Sequence, residues 1–268
     1  MSGAATDTPD LAGRLAGAAA RQALELDGVG RRFGALVALE GVALSVAPGE
    51  RRAVLGSNGA GKTTLFNCVT GDFPPTSGRV RFFGEDVTAL PPQERIRRGL
   101  RRTYQISLPF RGLTVRDNIH LACIGATRGR FSLLRRRGGD PSMEMTRRLA
   151  HAVHLDHVLD VPVGTLSHGA LRQLEVGMAL AGAPRLVLLD EPAAGLSPTE
   201  RRELVEILRA LPGHIGFVII EHDLDVALRV ADRVTVMHQG RIFRPDGTPE
   251  EIEADPEVQR IYLGGGRH

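Results

Sequence analysis

The 268-residue chain has no tryptophan, two tyrosines and nine phenylalanines. Base-stacking platforms that grip single-stranded nucleic acid need a better supply of rings, so no nucleic-acid partner is expected. Its two cysteines, Cys68 and Cys123, stand far apart without metal-ligand spacing, which argues against a disulfide scaffold and points to a reducing compartment, most simply the cytoplasm. No run approaches the roughly 20 apolar residues that cross a bilayer. The Ala-rich start is broken by Arg14 and has no basic flank before it, so neither a transmembrane helix nor a secretory signal is expected. Lysine is scarcer still: all but one of the 34 basic residues are arginine, the exception being Lys62. The position of that lone lysine is therefore informative.

What is present suffices for a core, with 42% hydrophobic residues and a formal net charge of +3. Residues 1–22 show no sustained apolar period and predict an extension without chemistry of its own. From Leu24 onward, β-rich runs alternate with turn residues: Leu24–Val29, Val42–Val46, then Arg51–Leu55 leading into a glycine-rich loop. A helix is predicted over Thr63–Thr70 and an alternating strand over Arg79–Phe83. The middle, from Ile106 to Met178, reads as a mostly helical insert with an Arg/Gly-rich loop (127–140) and a helical run from Met143 to about Leu159. Leu186–Leu189 and Gly216–Ile220 are uninterrupted apolar runs, each ending in acids, as buried parallel strands do. Between them Ser197, Pro198 and Glu200 form a helix-start signature for a helix through Leu211.

Gly56-Ser57-Asn58-Gly59-Ala60-Gly61-Lys62-Thr63 fits G-x-x-x-x-G-K-[ST] at every fixed position, after a strand and before a helix. Consecutive backbone N–H groups and a helix N-terminus suit a phosphate. Lys62 would reach the outer phosphates of a nucleotide, and the Thr63 hydroxyl would ligate Mg²⁺. Asp190, at the end of the first apolar strand, is expected to hold Mg²⁺ through its water shell. Glu191 is expected to orient or deprotonate the attacking water. An acidic pair after a buried strand is more often a cap or a solvated turn; beside a phosphate loop the odds reverse. His222, after the second apolar strand, would contact the γ-phosphate and the water. A lone histidine is usually structural, and Gln105 says nothing without context.

The order of these elements supplies the context. From about Leu24 to Gly264 the chain resembles the ATP-binding-cassette (ABC) ATPase family. The resemblance implies an α/β fold: an ABC-type P-loop NTPase core with an antiparallel β portion and an inserted α-helical subdomain, the core at 24–105 and 180–268 and the insert at 106–179. It implies that Phe33 stacks on adenine, that Gly56 to Thr64 cradle the phosphates of ATP, and that Gln105 joins the Mg²⁺ site to the helical part. Leu166-Ser167-His168-Gly169-Ala170 falls where the family has Leu-Ser-Gly-Gly-Gln, so Ser167 and Gly169 would grip the ATP bound on a partner subunit. Asp190 and Glu191 match the metal-binding and catalytic acids, Gly195-Leu196-Ser197 matches a loop crossing the dimer interface, and His222 matches the switch histidine. His168 and Ala170 depart from the signature. An asymmetric pair is expected, with slower turnover at the site completed by this chain.

At a finer level, Arg102-Thr103-Tyr104-Gln105, the arginines around Phe131–Arg137, Leu174-Glu175, Pro192-Ala193-Ala194-Gly195-Leu196 and the closing Gly247-Thr248-Pro249-Glu250-Glu251 with Ile261-Tyr262-Leu263-Gly264 look like ATPases of branched-chain amino-acid importers and their urea and amide relatives. That resemblance implies a second ATPase subunit, two membrane permeases, an extracytoplasmic solute-binding protein, and a place on the inner face of the cell membrane. Lipopolysaccharide-export ATPases with a similar tail, a soluble ABC ATPase acting on other macromolecules, and a nucleotide-binding regulator remain as alternatives. The arginine clusters read as solvated faces. His151, His154 and His157 read as one exposed helix face rather than a metal site.

Overall fold

The computed structural model describes residues 22–103, 109–126 and 141–263. Gln105, the extension before residue 22 and the Arg/Gly-rich loop therefore lie outside the described residues. Among the described residues, ten strands form two sheets. The antiparallel sheet has the order β2-β1-β4-β5, from β1 (Leu24–Phe33), β2 (Leu36–Val46), β4 (Ser77–Phe82) and β5 (Glu85–Asp86). The larger sheet has the order β10-β9-β3-β8-β7-β6, from β3 (Arg51–Leu55), β6 (Leu100–Thr103), β7 (Leu186–Asp190), β8 (Gly216–Glu221), β9 (Arg233–His238) and β10 (Arg241–Gly247). All its pairs are parallel except β9 with β10.

The apolar runs of β7 and β8 are continuous because both faces of the parallel sheet are covered. Val187, Leu189, Phe217 and Ile219 point into one core with the helices, while Leu186, Leu188, Val218 and Ile220 point into a second core shared with the antiparallel sheet. Cys68 and Cys123 are buried in different cores, and neither forms a disulfide. β1 and β2 extend well past the predicted Leu24–Val29 and Val42–Val46 to meet at Gly34. Register shifts between Leu26 and Arg32 interrupt the two-residue alternation, which is why the pattern faded there while the pairing continued.

The helices are α1 (Lys62–Thr70), α2 (Pro92–Arg97), α3 (Val115–Ala126), α4 (Pro141–Ala152), α5 (His168–Ala179), α6 (Pro198–Ala210), α7 (Leu224–Val230), α8 (Pro249–Ala254) and α9 (Pro256–Leu263). Helices α3, α4 and α5 pack together through Ile119, Cys123, Ala150, Val153 and Leu174. Among the described residues, no helix is long and apolar enough to cross a membrane.

The predicted helix from Met143 to Leu159 is corrected. The helix ends at Ala152, where His154 turns left-handed at φ 58° and the Leu155 N–H donates back to the Ala150 carbonyl at 2.8 Å. This is the closure in which a left-handed residue satisfies the last carbonyls. The apolar spacing runs on through Val153 and Leu155 because both stay buried after the chain has reversed. The three histidines are exposed but share no helix face: His151 is on α4, His154 is the reversal, and His157 lies in the short 3-10 turn Asp156–Val158.

A left-handed conformation costs an L-residue roughly 1–2 kcal/mol relative to glycine, and His154 is exposed, with little packing to lose. His154→Gly should therefore raise stability by about 1 kcal/mol, read as a higher urea midpoint at unchanged slope.

Candidate functional site

Strand β3 ends at Leu55 and delivers the chain to the loop 56–61, after which α1 begins at once. A side chain at Gly56 would sit 2.6 Å from the Met237 carbonyl, so β9 can lie directly against the loop. Gly61 caps α1 at φ 96°, and a Cβ there would meet the Ala38 carbonyl at 2.8 Å. Helices α5 to α8 each carry a side-chain cap on their first amides. Helix α1 has none, and no acid in its first turn, so its positive end faces the cleft with amides free of side-chain caps, the arrangement that receives an anion.

The cleft has a volume of about 470 Å³ and is lined by residues 58–64, Leu36 to Ala38, Glu191, Gln239 and Gly240. Lys62 is buried, its Nζ donating to the carbonyls of Gly56 at 2.7 Å and Ser57 at 3.1 Å. Burial pushes the Lys62 amine below its ordinary range, and the nearby carboxylates of Glu191, Asp190 and Glu221 oppose that shift. Thr63 and Thr64 stand in the cleft wall beside it.

The acids come from the carboxyl ends of β7 and β8, where parallel sheets gather ligands. Asp190 is 2% exposed. Its Oδ2 accepts from Arg102 Nη2 at 2.6 Å, while its buried Oδ1 has no hydrogen-bond partner among the described residues. Glu191 is left-handed at φ 47°, a strained conformation for a residue with a side chain. Three bonds hold it: its N–H donates to the Ile220 carbonyl at 2.9 Å, its carbonyl accepts from Ala194 N–H at 3.1 Å, and Ala193 N–H donates to Glu221 Oε1 at 2.8 Å. The consequence is that the Glu191 side chain enters the cleft while Asp190 stays under it. His222 is half-exposed, its Nδ1 3.8 Å from Glu191 Oε2 and 4.0 Å from Glu221 Oε2.

Thus Lys62, Thr63, Asp190, Glu191 and His222 converge. Phe33 is not among the residues lining the cleft. It ends β1 with its ring edge on Phe73, centroids 5.4 Å apart, and with Arg31 4.6 Å from each ring; 42% of it is exposed. Ser167 and Gly169 stand at the start of α5 and are likewise outside the cleft lining.

Sequence reasoning missed several contributors. Gln239 and Gly240 form the left-handed β9–β10 turn, whose Gly240 N–H donates to Ala60 and whose carbonyl accepts from Glu40, tying both sheets to the loop. The His-Gln-Gly-Arg string between two β-rich runs was the available signal. Glu221 is fully buried, with its carboxyl pushed up by burial, and it binds the amides of Ala193 and His222. Arg102, 4% exposed at its side chain, bridges Asp190 to Asn67 at 2.5 Å and Asp72 at 3.1 Å. Nothing in the local pattern separates it from the other arginines.

The family described as ABC transporter matches residues 39–194, more than half of the chain. The chain belongs to the ABC transporter family. A second match, described as branched-chain amino acid ATP-binding cassette transporter, covers residues 246–268 of this cassette. The high-affinity branched-chain amino acid transport ATP-binding protein BraF of Pseudomonas aeruginosa is 36% identical over 252 residues, 91% of this chain and 98% of that protein. LivG of Escherichia coli, of the same description, is 36% identical over 249 residues, covering 90% of this chain and 97% of its own. Among solved structures, a nucleotide-free ATP-binding cassette superposes with a TM-score of 0.79 at 31% identity, covering 90% of this chain and 98% of that one. The ADP conformation of an ATP-binding cassette does so with a TM-score of 0.77 at 31% identity, covering 91% and 99%. The cassette is an ATP-binding transport ATPase with a mixed α/β nucleotide core, an antiparallel sheet and packed helices.

The Arg102–Asp190 pair yields a sharp expectation. Arg102→Met leaves a buried carboxylate without its cation and should cost about 3–5 kcal/mol. Adding Asp190→Asn should return a substantial part of that loss. A double-mutant cycle by urea unfolding is expected to show a coupling of about 1 kcal/mol or more.

Proposed function

We propose that this cassette hydrolyses Mg·ATP as the motor subunit of a branched-chain amino-acid importer, paired face to face with a second ABC ATPase subunit. One observation carries the reading of the chemistry: Lys62, Asp190 and Glu191, each unremarkable alone, meet at the mouth of one uncapped helix. The amides at the start of α1 would hold the β-phosphate, Lys62 would clamp the outer phosphates, and Phe33 would offer its open face to adenine. Mg²⁺ fits the donors present, because Asp190 Oδ1, without a partner among the described residues, and the Thr63 hydroxyl are hard oxygen ligands. When bound, the ion would neutralise charge on the phosphates.

Glu191 is aimed at the cleft by its strained backbone and would take or orient the proton of the attacking water. His222 would hold the water and the γ-phosphate from the other side, its ring already near Glu191. Gln105 would complete the metal side and report it to the helical part. Ser167 and Gly169 would meet the ATP of the partner subunit. Solute class and direction rest on the closing segment and on the names of BraF and LivG. An ATPase of such an importer would work with two permeases and an extracytoplasmic binding protein, seated on the inner face of the membrane.

Lys62→Ala should lower turnover by about 10²–10³-fold, the loss for one transition-state donor in such a site; wild-type rates in a coupled phosphate assay would refute the assignment. Glu191→Gln should keep ATP and stop turnover. Tagged Glu191→Gln protein, recovered from gently solubilised membranes with Mg·ATP, should bring down two permeases, a second ATPase and a binding protein in mass spectrometry. Export components instead would reverse the direction of transport.

A further inference from the structure

His168 stands where the family signature carries a glycine, and its side chain is engaged. Nε2 lies 3.2 Å from the Ala194 carbonyl. A carbonyl oxygen only accepts, so Nε2 carries the proton of this bond. The ring also closes over Gly195, where an added Cβ would be 3.1 Å from Nε2. One residue on, Gly169 N–H donates to Glu200 Oε1 at 3.0 Å. A Cβ at Gly169 would fall 2.4 Å from that oxygen, so the absence of a side chain there is what admits the carboxylate.

Glu200 does not belong to α5. It is the third residue of α6, where its Oε2 accepts from Ser197 N–H at 2.8 Å and its own N–H donates to Ser197 Oγ. A single carboxylate therefore closes the cap of α6 and holds the first turn of α5. These bonds, from Ser197 first and from Gly169, keep its carboxyl below the usual range, helped by His168.

The segment 193–197 between Glu191 and α6 is thus fastened on two sides. On one side Ala193 N–H is held by Glu221, and Arg201, whose Nε donates to the Leu196 carbonyl at 3.1 Å, binds Asp223 Oδ2 through Nη1 at 2.7 Å, which ties the segment to the His222 loop. On the other side His168 and Glu200 tie it to the signature. We infer that His168 and Glu200 are positioning residues that fasten the signature segment to the loop leaving Glu191, so that one subunit's own hydrolysis site and the segment completing its partner's site move as a unit.

This rests on the pairing proposed above. It gives the histidine a role that glycine cannot fill and makes the two sites of a pair dependent on one another. A coupling free energy of this kind appears as cooperativity in ATP. Glu200→Gln keeps the cap, which glutamine also satisfies, but removes the charge that strengthens the bond to Gly169. His168→Ala removes the bond to Ala194, and His168→Gln restores a donor of similar reach.

The test is the ATP dependence of hydrolysis by the full-length chain, alone and with its co-purified partner ATPase, beside binding of a fluorescent ATP analogue to dilute protein. With His168→Ala and Glu200→Gln the Hill coefficient should fall to about 1, half-saturating ATP should rise by about 5-fold, analogue affinity should stay within about 2-fold, and His168→Gln should recover the cooperativity. Unchanged cooperativity in both variants, or a parallel loss of analogue affinity and melting temperature, overturns the inference and leaves the pairing intact. A parent protein whose hydrolysis is non-cooperative and independent of protein concentration overturns the pairing itself.

Discussion

The buried ion pair between Asp190 and Arg102 is the constraint on which the rest of the site depends. A carboxylate at 2% exposure needs a charged or hydrogen-bonding partner, and Arg102 supplies it from the neighbouring strand while also reaching the far end of α1 through Asn67 and Asp72. The pair fixes three elements at once: β6, β7 and the helix that carries the phosphate loop. Replacing such a pair by apolar groups is often neutral or stabilising, so its value here is geometric. Among the described residues it leaves one oxygen of Asp190 without a hydrogen bond.

Around that anchor the charges are kept apart by the backbone. Consecutive acids on a regular strand would point to opposite faces; the left-handed turn at Glu191 lets Asp190 remain under the sheet edge while Glu191 opens to the cleft. Strain of roughly 1–3 kcal/mol at one residue is sustained by Glu221, buried beneath it and bonded to the following turn. The same buried carboxyl lies close enough to oppose the downward shift of Lys62.

How much of this was legible depended on whether a signal was local. The glycine-rich loop, β3, α1 and the strands leading to Asp190 and His222 follow from short patterns with one physical solution, and the structure has them within a residue or two. The cap of α6 likewise lies in Ser197 and Glu200. The end of α4 was not legible, because Val153 and Leu155 keep a helical apolar spacing while His154 reverses the chain. The tips of β1 and β2 were hidden by bulges. Arg102, Glu221 and the Gln239–Gly240 turn belong to the site only through contacts between residues far apart in sequence, and composition cannot rank one arginine above another. The missing side chain at Gly169 could be read as room for phosphate, yet it also admits Glu200, which sequence spacing could not reveal.

Because arginine stands at every other basic position, the chain's only side-chain amine is the one inside the cleft at the mouth of α1. That amine is buried and held by the carbonyls of Gly56 and Ser57. Acylating reagents that scatter over the surface of ordinary proteins would find, apart from the α-amine, a single target in this one. Side-chain amine chemistry on this protein is therefore confined to one position, and that position lies in the wall of the cleft.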